Sequence, residues 1–144
     1  MTINRIQDAI IEEFSNLDDW FDKYEYLVRI AKTAPASDGT LRTEAYALKG
    51  CQAKVWLRAE MNRGKLHITA DSDSTVTRGI LALLIRVLDN QSPRDVARAN
   101  LYFLDGIGLS TGLSPGRANG LAAIIKTLKD TATRLDSPEA ASET

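Results

Sequence analysis

From residue 54 to residue 71 the apolar side chains fall on every second position, whereas on both sides of that stretch they fall on every third or fourth. Val55, Leu57, Ala59 and Met61 alternate with Trp56, Arg58 and Glu60, and after Asn62-Arg63-Gly64 the alternation resumes at Leu66, Ile68 and Ala70. A period of two marks a strand with one buried face, and a helix would scatter these groups around its axis. Two such runs joined by a glycine-containing turn read as an antiparallel hairpin. Its single apolar face needs a covering layer, and the flanking segments have the pattern to supply one.

Upstream, Ile3, Ile6, Ile10 and Phe14 share one helical face, with Asp8, Glu12 and Glu13 mostly elsewhere. A second helix follows Asn16-Leu17-Asp18-Asp19, whose carboxylates suit the exposed amides of a helix start. Its Trp20, Tyr24, Leu27, Val28 and Ala31 recur at helical spacing. Residues 33–43, rich in Pro, Ser, Asp and Gly, read as a loop, and residues 45–49 as a third strand. Downstream, Asp71-Ser72-Asp73-Ser74 caps a helix with the stripe Val76, Ile80, Leu83, Leu84 and Val87. Ser92-Pro93 restarts a short helix, residues 100–113 read as loop with a turn or two, and Ser114-Pro115 opens a last helix with Leu121, Ile124, Ile125 and Leu128 inward. Residues 137–144 are small and polar and are expected to be a disordered tail. The expected fold is therefore α+β: one domain over residues 1–136, with a small antiparallel sheet of about three strands and helices packed on one face.

A formal net charge of -1 gives no global field for nucleic acid or acidic lipid, so neither partner is expected. The longest apolar run, Ile80-Leu81-Ala82-Leu83-Leu84-Ile85, stops at Arg86 and is too short for a bilayer. Residues 1–8 lack the apolar stretch of a secretory signal. With one unpaired cysteine, this points to a reducing compartment and a cytoplasmic location.

That cysteine, Cys51, is the first candidate for chemistry. One thiol cannot form an internal disulfide or run two-cysteine redox chemistry, but it can accept, carry and donate a single group. A free cysteine is often a small buried hydrophobe. Here Gly50 suits a tight loop, Gln52 interrupts any apolar run, and Lys49 and Lys54 favour thiolate over thiol, which together favour a reactive group. If residues 45–49 form a strand, Cys51 lies in the loop joining two strands. The only histidine, His67, alternates away from Leu66 and Ile68 and is expected on the solvent side, a poor place for the base of a thiol hydrolase. One cysteine and one histidine are too few for a zinc site. The glycines from Gly106 to Gly120 miss the dinucleotide-binding spacing and lack a Walker lysine, so they read as a tight loop docking the last helix, with Arg117 and Asn119 as polar residues in its first turn. Asp71 and Asp73 read as capping groups rather than cation ligands, and Trp20 and Trp56 as packing residues.

Four runs resemble one family in order and in register. Lys49-Gly50-Cys51-Gln52-Ala53-Lys54-Val55-Trp56-Leu57 resembles the cysteine loop of SufE proteins. Asp18-Asp19-Trp20-Phe21-Asp22-Lys23-Tyr24-Glu25-Tyr26-Leu27 is similar to their opening helix. Ala70-Asp71-Ser72-Asp73 followed by Thr77-Arg78-Gly79-Ile80-Leu81-Ala82-Leu83-Leu84 is similar to the start of their central helix. Leu113-Ser114-Pro115-Gly116-Arg117-Ala118-Asn119-Gly120-Leu121 is similar to the start of their last one. The resemblance spans about residues 6–129. It implies a SufE/IscU-like fold in which Cys51 accepts sulfur as a persulfide from a SufS-type cysteine desulfurase, with Gly50, Gln52, Arg117 and Asn119 supporting the loop. It also implies delivery of that sulfur to a SufBCD-like scaffold for iron–sulfur assembly. No cofactor is implied for the chain itself, since pyridoxal phosphate belongs to the desulfurase. Two positions depart from the family pattern: Gly112 stands where many members have histidine, and Gly116 where a small hydroxyl residue is expected. The competing readings are a scaffold with a structural cysteine, a sulfur carrier for another recipient pathway, and an autonomous thiol hydrolase using His67.

Overall fold

The computed structural model describes residues 2–34, 39–49 and 53–136. Gly50, Cys51 and Gln52 therefore lie outside the described residues, as does the tail for which disorder is expected. The elements are α1 (Ile3–Phe14), α2 (Trp20–Thr33), β1 (Val55–Asn62), β2 (Lys65–Ser72), α3 (Thr75–Leu88), α4 (Pro93–Arg98), α5 (Phe103–Gly106), α6 (Leu109–Gly112) and α7 (Pro115–Leu135). This is the α+β arrangement that the hydrophobic periods imply.

Local chemistry sets the boundaries. Thr2, Asp19, Ser74, Ser92 and Ser114 each accept the N–H three residues on, which satisfies an amide left orphaned by the first helical turn. Arg63 and Gly64 have φ of 55° and 80°, so both centres of the two-residue hairpin turn are left-handed, the conformation that matches the strand twist. The ladder runs from Val55 opposite Ser72 to Asn62 opposite Lys65. Alternation then puts Val55, Leu57, Leu66 and Ile68 on the buried face, against α3 and α7.

The third strand does not form. Residues 46–48 meet β1 only at the Ala47–Trp56 bridge, with Leu48 N–H donating to the Val55 carbonyl (2.8 Å) and Leu57 N–H to the Tyr46 carbonyl (2.9 Å). Upstream the chain turns instead of extending, through Tyr46 N–H to the Thr43 carbonyl (3.2 Å). The turn brings Arg42 over the Trp56 ring (4.7 Å) and onto Asp71 (2.8 Å). The sheet thus has two strands among the described residues, not about three.

α3 is the centre of the molecule. Val76, Ile80, Leu83, Leu84, Val87 and Leu88 are all buried, and each such side chain contributes roughly 1.5–3 kcal/mol relative to an exposed one. It crosses α2 at Gly79, which has no side chain to keep the Leu27 backbone away. That crossing fixes which face of α2 is covered. Leu27 and Ala31 are buried, whereas Tyr24, expected on the inward stripe, is exposed, as is Phe21 at 69%.

Gln7 is a fully buried polar residue that the apolar pattern does not reveal. Its Nε2 donates to the Asn100 carbonyl (3.0 Å) and its Oε1 accepts from the Phe103 N–H (3.1 Å), which ties α1 to the start of α5. Gln7→Leu would leave the buried Phe103 N–H without a partner and break the bond to the Asn100 carbonyl, so urea unfolding should show a loss of about 2 kcal/mol. An unchanged midpoint would contradict the assignment.

Tyr26 stacks on Phe14 (5.0 Å between centroids) and donates to Glu13, which also pairs with Arg86 (2.9 Å). Burial first, then the hydrogen bond to Glu13 and its negative charge, pushes the phenol up to about 12 from its usual 10.0. The folded state therefore favours the protonated phenol. This contribution is intact below the unfolded value of 10.0 and is lost as pH rises toward about 12. Tyr26→Phe should flatten that part of the stability–pH curve, and equal slopes in both chains would sink the reading.

Candidate functional site

Three elements converge on the residues that flank Cys51 in sequence. On the upstream side the Leu48 N–H donates to the Val55 carbonyl (2.8 Å). On the downstream side Lys54 is gripped from β2 and the turn after it: its N–H donates to Asp73 Oδ1 (3.0 Å), and its carbonyl accepts from Ser72 Oγ (2.7 Å) and the Asp73 N–H (3.2 Å). Ser72 is fully buried, which protects its bond to the Lys54 carbonyl from competing water, whereas the Asp73 carboxylate bond is exposed. Ser74, next along, caps α3. The Asp71–Ser74 run thus exceeds what a cap needs, and that surplus of polar groups was the sequence signal for the anchor. Among the described residues no cluster of acids, histidines or cysteines could hold a metal.

Beside the anchor is a small cavity of about 20 Å³, room for one or two water-sized atoms. Ala53 and Val55 from the loop base, Thr77 and Ile80 from α3, and Arg117 and Leu121 from α7 line it. Thr77 and Arg117 are each the third residue of their helix, so two helix N-termini reach the same spot. Each carries a partial positive charge from aligned peptide dipoles. The guanidinium of Arg117 adds a full one, and its Nη1 is buried without a hydrogen-bond partner among the described residues. An electropositive, mostly apolar niche of this kind favours a thiolate or another soft anion over the neutral thiol.

The residues singled out from sequence fare differently. Arg117 lines the cavity, whereas Asn119, two residues on, is exposed and does not. Gly50, Cys51 and Gln52 lie outside the described residues. His67 is on the exposed sheet face as expected, paired with Asp89 (3.2 Å) and opposite Glu60. The ladder puts it five residue steps, about 17 Å, from the Val55–Ser72 end where the thiol loop joins. Gly112 has a physical reason: a β-carbon there would fall 2.4 Å from the Trp20 ring. A side chain at residue 112 would require the Trp20 indole to move off that backbone.

A family model described as SufE, Fe-S metabolism associated domain, matches residues 8–132. An uncharacterized SufE-like protein of Rhizobium meliloti (strain 1021) is 31% identical over 130 residues, covering 87% of this chain and 93% of the relative. The sulfur acceptor protein CsdE of Escherichia coli (strain K12) is 32% identical over 119 residues, covering 81% of each chain. Among solved structures, the solution structure of a hypothetical protein from Thermus thermophilus superposes with a TM-score of 0.73 at 22% identity, covering 93% of this chain and 97% of that one. That likeness concerns the fold.

Proposed function

The chain belongs to the SufE family, and from that premise we propose that it is a sulfur acceptor in iron–sulfur metabolism, with Cys51 as the accepting residue. The observation that carries the reading is the electropositive niche at the base of the only thiol's loop, built from Arg117 and the starts of α3 and α7. The donor is a persulfide on a pyridoxal-phosphate cysteine desulfurase, of the SufS type. The Cys51 thiolate attacks the terminal sulfur of that persulfide, a new S–S bond forms on Cys51, the partner's S–S bond breaks, and the partner's cysteine leaves as thiolate. No electrons are gained or lost overall. With no second cysteine in the chain, the new persulfide cannot collapse into an internal disulfide, which suits a carrier that hands sulfur to a SufBCD-like scaffold.

Arg117 acts here as a positioning and charge-stabilising residue, Gly50 as the pivot of the loop, and Gln52 and Asn119 as its polar support. The chain's one histidine is five residue steps along the ladder from the Val55–Ser72 end, which favours transfer over hydrolysis by a histidine-activated thiol. The desulfurase's turnover of L-cysteine, with and without this chain, tests the proposal. Stimulation that saturates with added chain is expected. Absence of stimulation with SufS-type and other cysteine desulfurases alike would overturn it. Arg117→Ala should raise the pH midpoint of Cys51 alkylation by about one unit, since it removes the full positive charge that lines the cavity with Ala53 and Val55. An unshifted midpoint would remove Arg117 from the account.

A further inference from the structure

A second concavity, of about 360 Å³, lies between the C-terminal end of α2, another flank of α3 and the end of β2. That volume is within the range of small-ligand sites. Its floor is apolar, from Ala31, Ala70, Leu81, Ala82 and Ile85, while Lys32, Arg42 and Arg78 bring positive charge to its walls. Asp71 is the one carboxylate among the described lining residues, and Arg42 is engaged with it. The same guanidinium reaches the Ser72 carbonyl (3.4 Å) and lies over Trp56, so Arg42 is committed to holding the chain in place.

Arg78 differs. It is half-buried in the wall, no carboxylate pairs with it among the described residues, and its hydrogen bond is a long one from Nη2 to the Ala31 carbonyl (3.5 Å). Partial burial of a guanidinium without a counter-ion is unfavourable and is ordinarily relieved by an anion. Its planar fork matches a carboxylate, and Lys32 on the neighbouring helix supplies a second cation. An inorganic anion would satisfy the charge but leave the alanine, leucine and isoleucine floor in water. A short hydrocarbon tail would cover it.

We propose that this concavity binds a small aliphatic carboxylate, with its carboxylate on Arg78 and Lys32 and its hydrocarbon on Leu81, Ala82 and Ile85. The site shares no described lining residue with the cavity beside Arg117 and does not depend on the sulfur-acceptor reading. The test is a titration of the ¹⁵N-labelled full chain with sodium butyrate, against sodium chloride at matched ionic strength. Saturable shifts at the Lys32, Arg78 and Ala82 amides in the millimolar range are expected. Arg78→Gln should weaken them about tenfold, the loss of a charge-assisted hydrogen bond. Lys32→Gln, at an exposed position that the fold does not need, should weaken them several-fold. The Cys51→Ser chain should bind butyrate as the parent does, which separates this proposal from the function proposed above. Absence of saturable shifts, undiminished shifts in both variants, or inorganic phosphate binding as tightly as butyrate would overturn it.

Discussion

Cys51→Ser should keep the parent's melting temperature and lose sulfur acceptance altogether. Serine replaces one atom, and the described core is assembled from α1–α7 and the hairpin. The hydroxyl's proton is held far more tightly than a thiol's, so at neutral pH no comparable anion forms at the loop. Oxygen is also a poor nucleophile toward a sulfur–sulfur bond. Neither Lys49 nor Lys54 can stand in, since an amine forms no persulfide. The expected readouts are zero added sulfur and zero stimulation of the desulfurase, with an unfolding curve that overlays the parent's. A variant that still stimulates turnover would make the thiol dispensable and put the scaffold reading first.

The second large effect is structural. Gly79→Ala should cost about 3 kcal/mol, the upper end of the range for overpacked cores. A β-carbon at residue 79 would lie 2.3 Å from the Leu27 carbonyl oxygen and 2.9 Å from its carbon, distances that van der Waals radii forbid. These are backbone atoms of α2, so no rotamer change relieves the clash and the two helices must part. Parting them opens the packing of Leu27, Ala31, Leu83 and Leu84, all buried. The intrinsic helix preference of alanine over glycine, about 1 kcal/mol, offsets only part of this. Thermal unfolding should begin roughly 10 °C lower than for the parent. An unchanged or raised melting temperature would mean that α2 and α3 do not cross at Gly79.

Much of this architecture is legible in the order of residues. The hairpin could be read because its alternation is unbroken on both sides of Asn62-Arg63-Gly64, and the long helices because their apolar stripes and Ser or Asp caps agree. What escaped has identifiable causes. The third strand shrank to one bridge because Arg42 is drawn to Trp56 and Asp71, a pairing between distant segments that no local pattern encodes. The inward face of α2 is set by the Gly79 crossing, so helical period alone misplaced Tyr24. Gln7 reads as a surface residue until Phe103 and Asn100 supply its partners across the fold. Residues 100–113 contain two four-residue helices, too short for any period to register.

The candidate site divides in the same way. The proposed chemistry starts from the sequence alone, where a lone cysteine stands beside Gly50 and between lysines. Arg117 was legible only as a polar residue in a first turn. That it shares a cavity with Thr77 and Ala53 depends on how α7 lies against α3 and β1. The grip of Ser72 and Asp73 on Lys54 was hidden behind a plausible cap. Residues with one obvious local role can hold a second, and only the packing shows it.

The central claim is that Cys51 carries sulfur, and intact mass measures it directly. The chain is incubated with a cysteine desulfurase and L-cysteine, then weighed with and without reductant. A gain of one or more sulfur atoms, mapped to the peptide holding Cys51 and removed by reductant, is the predicted result. A fully reduced chain whose mass does not change, while the desulfurase is shown to be turning over, would contradict it.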